Sequence, residues 1–173
     1  MQERQDAEAV LITGVFGAGK SSVAAEIAGV LEELGGRYAA LDLDWLAWAD
    51  PGSDDEDAEL RMMLANVASI LDNYLAIGIR RFVLAGAILD RAELEGLRTT
   101  LAMPMTVVRL TVPVAEIEER LRADVTTQRM DDLREAAAWL ERGHGEGVED
   151  LTIANAGPIR EVALAILTQL GWG

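Results

Sequence analysis

The sequence has 173 residues, of which 50% are hydrophobic and 5% aromatic, so it can form one domain with a full core but not two. Its 30 acidic residues outnumber 15 basic ones, and the net charge of −15 disfavours nucleic acid and anionic membranes as partners. Cysteine is absent, which excludes disulfides, and no run reaches the roughly 18 apolar residues of a membrane helix, so we expect a cytoplasmic protein.

Five short apolar runs rich in β-branched residues predict buried parallel strands at 9–13, 38–43, 81–85, 106–112 and 150–154. Helical patterns alternate with them, and their start or stop signals are Gly35-Gly36, Gly78, Asp90, Pro113, Asp131-Asp132 and Pro158. After a polar tail at 1–8, this order predicts a single α/β domain with a parallel sheet and right-handed crossovers. Ligands of such folds bind beyond the carboxyl ends of the strands.

The first predicted strand runs directly into the motif G-x-x-x-x-G-K-[ST], from Gly14 to Ser21, and a helix follows. The glycines allow successive backbone N–H groups to point at phosphate oxygens, and the helix start adds its dipole. Lys20 supplies a charge to the β- and γ-phosphates, and the Ser21 hydroxyl is a magnesium ligand. The alternative is a plain glycine turn capped by serine. We predict a nucleoside triphosphate site formed by Gly14, Phe16, Gly17, Ala18, Gly19, Lys20, Ser21 and Ser22.

The acidic residues of the predicted site follow the second strand and not the third, which ends in Gly86-Ala87-Ile88. Many P-loop hydrolases and motors place their magnesium-binding acid at the end of a core strand, and the third strand offers none. On an extended chain Asp42 and Asp44 project to the same side. One of them could anchor magnesium-bound water while the other accepts the proton of an attacking hydroxyl. The alternative is a pair of exposed strand-end acids.

The glycine loop, the Asp-x-Asp at 42–44, Gly86 and the pair Asp90-Arg91 together resemble the small P-loop kinases. This superfamily includes the adenylyl-sulfate, shikimate, gluconate and nucleoside monophosphate kinases. The resemblance implies a three-layer fold with five parallel strands in the order 2-3-1-4-5, and ATP as donor. It also implies that Asp44 faces the acceptor hydroxyl and that Asp42 belongs to the magnesium shell.

In such kinases a lid after the fourth helix supplies arginines that cover the phosphates. The matching stretch here is about 120–132, where Arg129 is a candidate catalytic residue, Arg122 a candidate nucleotide contact and Arg120 a weaker candidate. Solvated surface arginines are the alternative for each. The resemblance also puts Asn155 and Pro158 in the wall of the adenine pocket, and the alternative there is an ordinary turn capped by Asn155.

Candidate acceptor contacts lie around the acids. Trp45 and Trp48 would share a face on a helical turn and could hold a flat acceptor, although such tryptophans more often close a core. Arg91 and, more weakly, Arg61 could hold an anionic acceptor, and Asp44 and Gly86 are the other candidates for acceptor binding. The only histidine, His144, lies in a glycine-rich run and is interpreted as a solvated loop residue rather than a zinc ligand.

We therefore expect an ATP- and Mg²⁺-dependent phosphotransferase that acts on a hydroxyl group of a small molecule. The alternative is an ATP-binding regulatory protein or weak NTPase without a competent acceptor site. A nucleic-acid-stimulated motor is disfavoured by the negative charge and by the missing acid after the third strand.

Overall fold

A central sheet of five parallel strands organises the chain, in the order β2-β3-β1-β4-β5. The computed structural model describes residues 2–49, 57–113, 115–117, 138–139 and 145–173. The strands are β1 (Glu8–Thr13), β2 (Tyr38–Asp42), β3 (Arg81–Ala85), β4 (Met105–Thr111) and β5 (Leu151–Ala154). The fold class and strand order expected from the sequence are thus confirmed.

Helices cover both faces of the sheet. They are α1 (Gln2–Gln5), α2 (Lys20–Glu33), α3 (Leu43–Ala47), α4 (Ala58–Ala76), α5 (Arg91–Leu101) and α6 (Ile159–Leu170). Residues 115–117 and 138–139 are also helical. Within the ranges that the structure describes, no helix combines the length and apolarity required to cross a bilayer.

Alternation along the strands divides the core into two layers. Ala9 and Leu11 of β1 pack with α4 and α5 on one face, whereas Val10 and Ile12 pack with α2 and α6 on the other. Phe82, the second residue of β3, is fully buried. Burial of such a side chain contributes about 1.5–3 kcal/mol, so these two layers hold the carboxyl edge of the sheet in a fixed position.

Local signals end and begin the helices as the sequence predicts. Gly35 follows α2 with φ 70°. The Asp90 carboxylate accepts hydrogen bonds from the backbone N–H groups of Ala92 and Glu93, at 2.8 and 3.0 Å, and so caps α5. The Glu93 carboxylate accepts in turn from the Leu89 N–H at 2.7 Å. This reciprocal arrangement resembles a capping box and fixes the loop between β3 and α5.

The N-terminal segment is more ordered than the tail expected for 1–8. Residues 2–5 form α1, and the Arg4 guanidinium donates to the Thr100 carbonyl at 2.7 Å and to Asp72 at 2.6 Å. Ala7 is buried and Glu8 already belongs to β1. The segment is therefore fastened to α4 and α5. The helix predicted at Asp131-Asp132 lies outside the described residues.

The largest departure from the sequence prediction is at the end of β2. The strand was expected to continue to residue 43, but it ends at Asp42 and Leu43 begins α3. The Asp42 carboxylate accepts hydrogen bonds from the N–H groups of Asp44 and Trp45, at 3.1 and 3.4 Å, which turns the chain into a helix. The prediction that Asp42 and Asp44 project from one side of an extended strand is therefore wrong. The limits of β1, β4 and β5 shift by a single residue.

Candidate active site

The loop between β1 and α2 has the backbone conformation of an anion cradle. Gly14, Gly17 and Gly19 have φ angles of 141°, 76° and 91°, which favour glycine. Position 14 also excludes a side chain, because a Cβ there would lie 2.8 Å from the Leu110 carbonyl oxygen. The Asn155 side chain also contacts this loop, at the Ala18 carbonyl. The loop is thus shaped by its glycines and by its contact with β4.

The loop leads into the N-terminus of α2, a helix of 14 residues. Gly19 precedes the first helical residue and offers no side-chain cap, so the helix start is built from backbone alone. The N-terminal N–H groups and the macrodipole of a helix favour a bound anion at this position. Ser21 and Ser22, which follow Lys20 in the first turn, are exposed. The arrangement suits phosphate oxygens.

Lys20 is 6% exposed, and its ammonium group lies between the loop and the acids. Its Nζ is 3.5 Å from the Val15 carbonyl oxygen, 4.0 Å from Oδ2 of Asp44 and 5.1 Å from the centre of the Phe16 ring. Phe16 in turn contacts Trp139, with ring centres 5.2 Å apart. A charge so placed can attract phosphate although the protein as a whole is acidic.

Ser21 and Asp42 form the closest pair of oxygens in the site. The Ser21 hydroxyl donates to Oδ2 of Asp42 at 2.6 Å, while Oδ1 of the same carboxylate caps α3. A hydroxyl and a carboxylate oxygen are ligand types that Mg²⁺ accepts, usually together with water and substrate phosphates. The described residues contain no cluster of three acidic or imidazole groups that could hold a metal alone. The donor set therefore fits a magnesium ion that arrives with a nucleotide.

Asp44 lies in α3, yet its carboxylate still reaches the phosphate loop. Oδ1 accepts a hydrogen bond from the Ala87 N–H at 3.2 Å, and Oδ2 lies 4.0 Å from Nζ of Lys20. Strand register brings these groups together, since Asp42 pairs with Ala85 and Ala85 pairs with Ile12 across the sheet. The two acids thus converge by a helical turn rather than by strand alternation.

The loop after β3 is held tightly under the site. The Gly86 N–H donates to the Ile12 carbonyl at 3.1 Å, and the Ile88 N–H donates to the Thr13 hydroxyl at 3.2 Å. A Cβ at position 86 would lie 2.8 Å from Cβ of Leu43, so only glycine lets α3 approach β3. Thr13 is buried and was missed by the sequence analysis. The sequence feature that could have identified Thr13 is a polar residue at the end of an apolar strand.

Asn155 contacts the phosphate loop directly. Its side chain is 5% exposed, and its Nδ2 donates to the Ala18 carbonyl at 2.7 Å. The alternative of an ordinary turn capped by Asn155 is wrong, because the residue that precedes α6 is Pro158 and no side chain caps that helix. Pro158 itself is exposed. The loop after β5 is therefore attached to the phosphate cradle.

The candidate acceptor residues lie in different parts of the structure. Trp45 and Trp48 are 67% and 66% exposed beside Asp44, so the alternative that they close the core is wrong. Arg91 lies at the start of α5, where its guanidinium donates to the Gly147 carbonyl at 2.8 Å. Arg61 is exposed near the start of α4. Arg120, Arg122, Arg129 and His144 lie outside the described residues, and so does the whole of the predicted lid at 120–132.

A cavity of about 170 Å³ lies beside the phosphate loop, at the carboxyl ends of β1 and β4. Its lining includes Gly14, Ile88, Arg109 and Trp139. The Arg109 guanidinium donates to Glu149 at 2.9 Å. Burial raises the pKa of the Glu149 carboxyl, but hydrogen bonds from its own backbone and from Arg109, the Arg109 charge and a Gly147 backbone hydrogen bond together hold that pKa below its usual value. Arg109 was not predicted from the sequence. The feature that could have identified it is a charged residue inside an apolar strand.

Solved structures with the same fold include small-molecule kinases. A gluconokinase from Sinorhizobium meliloti is 24% identical, with a TM-score of 0.64 over 96% of this chain and 94% of that one. A sugar kinase from a Janibacter species is 21% identical, with a TM-score of 0.68 and 96% of both chains covered. The APS kinase of Mycobacterium tuberculosis, in complex with AMPPNP and APS, is 19% identical, with a TM-score of 0.62 over 96% and 99%.

No family model matches the chain, and no curated protein matches it. The likeness covers nearly the whole length of this chain and of each of these solved kinases. At identities of 24% and below it establishes the fold of the small P-loop kinases, as the resemblance in the sequence implied.

Proposed function

We propose that the protein is an ATP-dependent kinase that transfers the γ-phosphoryl group to a hydroxyl of a small molecule. The observation that carries the proposal is the position of Asp44, whose carboxylate lies 4.0 Å from the ammonium group of Lys20 and next to the Ser21–Asp42 pair. A proton acceptor beside a phosphate cradle is the arrangement that phosphoryl transfer to an alcohol requires. The fold shared with solved kinases supports the same reading.

The proposed role of each residue follows from its position in the site. Backbone N–H groups of the loop and the start of α2 hold the phosphates, and Lys20 balances charge on the β- and γ-phosphates. Ser21 and Asp42 would hold the magnesium ion, which neutralises the charge that develops during transfer. Arg122 and Arg129 remain candidates for covering the phosphates.

Transfer itself needs little covalent chemistry from the protein. The acceptor hydroxyl oxygen forms a bond to the γ-phosphorus while the bond from that phosphorus to the β–γ bridging oxygen breaks, and ADP leaves. Asp44 takes the hydroxyl proton, and its hydrogen bond from the Ala87 N–H fixes the direction of the carboxylate. Positioning and electrostatic stabilisation then supply most of the rate enhancement.

An acceptor panel tests the proposal. ADP release from ATP and Mg²⁺ is measured with nucleosides, sugars, hydroxy acids and polyols, and with no acceptor. A kinase releases ADP fastest with one class of acceptor and yields a phosphorylated product. Equal release with every compound, including none, would indicate an ATP-binding regulatory protein or weak NTPase and would refute the proposal.

A further inference from the structure

Helix α3 presents two tryptophans beside the proposed catalytic acid. At about 100° per residue, Asp44 and Trp45 in this helix and Trp48, which directly follows it, occupy one arc of about 100°. The opposite side carries Leu43, which is buried, and Leu46, which packs against the same core. The helix is therefore fixed through its apolar side, and the tryptophans occupy the side that Asp44 shares.

The exposure of these tryptophans is unusual for this protein. Trp45 and Trp48 are 67% and 66% exposed, whereas Trp139 and Trp172 are 9% and 4% exposed. The two exposed rings contact each other, with centres 4.9 Å apart and planes at 43°. Large aromatic groups left in water beside a site offer a surface on which a planar ligand can stack.

The contacts of α3 fix the position of the helix that carries Trp45 and leads into Trp48. Asp42 caps the helix. Leu43 packs against Gly86, and no residue larger than glycine fits at position 86. At the other end, the Asn66 side chain of α4 donates to the Leu46 carbonyl at 2.9 Å. A ring stacked on Trp45 and Trp48 would thus be held at a fixed position relative to the Asp44 carboxylate.

The carboxylates beside the tryptophans disfavour an anionic group on a ring that stacks there. Asp44 adjoins Trp45 in α3, Asp42 lies at the same edge of the sheet, and the net charge of the chain is −15. Arg109 is paired with Glu149 at 2.9 Å, whereas Arg91 donates to the uncharged Gly147 carbonyl and keeps its positive charge at the start of α5. A carboxylate or phosphate on the stacked ring would face Asp42 and Asp44, while a neutral or cationic group would not be repelled by them.

We infer that Trp45 and Trp48 form the acceptor-binding surface, and that the acceptor is a neutral or cationic hydroxyl compound with a planar ring, such as a nucleoside. The inference rests on the proposed kinase function, because only a kinase has a phosphoryl acceptor. Binding of a ligand to this surface can nevertheless be measured without turnover. Stacking fixes the ring, and the hydroxyl then reaches Asp44 from the rigid end of α3.

Binding is tested first, without ATP, by equilibrium dialysis and by quenching of tryptophan fluorescence. The probes are uridine and adenosine, their 3′-monophosphates, which keep the 5′-hydroxyl, and gluconate. We expect saturable binding of a nucleoside, weaker binding of its 3′-monophosphate and none of gluconate. Trp48→Ala should weaken nucleoside binding about 5- to 150-fold, since stacking of a base on an aromatic ring has that strength. Trp48→Phe should retain much of it.

The matched control is Leu34→Ala, which removes an exposed hydrophobic residue at the end of α2. It should leave both binding and turnover unchanged. In the kinase assay, Trp48→Ala should raise the acceptor KM and leave the ATP KM unchanged.

The outcomes separate the two proposals. Transfer to gluconate or another anion, with KM unchanged in Trp48→Ala, overturns the inference and leaves the kinase standing. Saturable nucleoside binding that Trp48→Ala weakens, with no transfer to any acceptor, supports the binding surface and overturns the kinase. No binding of any nucleoside to the wild type overturns the inference.

Discussion

Asp42 uses its two carboxylate oxygens for different purposes. Oδ1 caps α3 by accepting from the Asp44 and Trp45 N–H groups, and Oδ2 accepts from the Ser21 hydroxyl at 2.6 Å. The first contact needs only an oxygen, which asparagine also supplies. The second, in the proposed magnesium shell, needs a charge. Structure and metal binding can therefore be separated by substitution at one residue.

We predict that Asp42→Asn folds with nearly wild-type stability but loses the magnesium dependence of ATP binding. Asp42→Ala should also lose the cap, at a cost of about 1 kcal/mol, which corresponds to a fall of about 2–4 °C in Tm for a domain of this size. Thermal denaturation and ATP titrations with and without Mg²⁺ measure both effects. A magnesium dependence that survives in Asp42→Asn would show that Asp42 is not in the metal shell.

Single residues also show where sequence reasoning stops. The phosphate loop could be predicted because its chemistry is local: the glycines, Lys20 and Ser21 are consecutive in the chain. Asn155 was placed at the nucleotide site by resemblance, but its hydrogen bond to the Ala18 carbonyl spans 137 positions of sequence. No periodicity or motif encodes a contact of that range, and only the assembled sheet reveals it.

At the scale of elements, α3 is the instructive case. The apolar run at 38–43 predicted a strand that continues to residue 43, whereas Asp42 caps a helix and Leu43 packs against Gly86. Tertiary packing and one side-chain cap thus override the local strand preference. The longer helices were predictable, because α2 and α5 each combine a 3.6-residue period with an end signal. The strand order came from the family resemblance and not from any pattern in the strands.

We predict that Gly86→Ala displaces α3. The new Cβ would lie 2.8 Å from Cβ of Leu43, an atom that cannot move without the helix backbone, so we expect a loss of about 1–3 kcal/mol. The fluorescence of Trp45 and Trp48 should change with it. Gly29→Ala is the control, because that α2 glycine has no neighbour within 4 Å and alanine there should stabilise by about 0.5–1 kcal/mol. Equal Tm values for the two variants would contradict the packing argument.

The ion pair between Arg109 and Glu149 joins β4 to the segment before β5. The folded protein holds the pKa of Glu149 below its ordinary value of 4.5. A carboxylate of this kind stabilises the fold above the unfolded pKa, and that contribution is lost as the pH falls through the folded pKa. The pair should therefore matter most at neutral pH.

We predict that Glu149→Gln lowers Tm at pH 7, and that its difference from the wild type shrinks as the pH falls below 4.5. Thermal denaturation across that range measures it. Glu146→Gln, at a position whose carboxylate is 4.0 Å from Arg109 and largely exposed, should have a smaller effect. A difference that grows in acid would reverse the assigned direction of the pKa shift.

At the scale of the whole molecule, the net charge of −15 opposes the proposed nucleotide. The phosphate loop overcomes this field by short-range contacts, which salt screens less than the long-range repulsion. We therefore predict that the association rate constant for ATP with Mg²⁺ rises as ionic strength increases from 10 to about 150 mM, a range over which the Debye length falls from about 30 to 8 Å. Stopped-flow binding measures it. A steep fall with salt would indicate a basic attractive surface instead.

The central claim is that Asp44 accepts the proton of an acceptor hydroxyl next to a phosphate cradle. Its most direct test is single-turnover transfer of labelled γ-phosphate to the best acceptor, in the wild type and in Asp44→Asn, with Glu95→Gln as an exposed control on α5. We predict a fall in the transfer rate of about 10²- to 10⁴-fold in Asp44→Asn, with the ATP Kd within a few-fold of wild type and Glu95→Gln unaffected. A transfer rate in Asp44→Asn equal to that of the wild type would contradict the account.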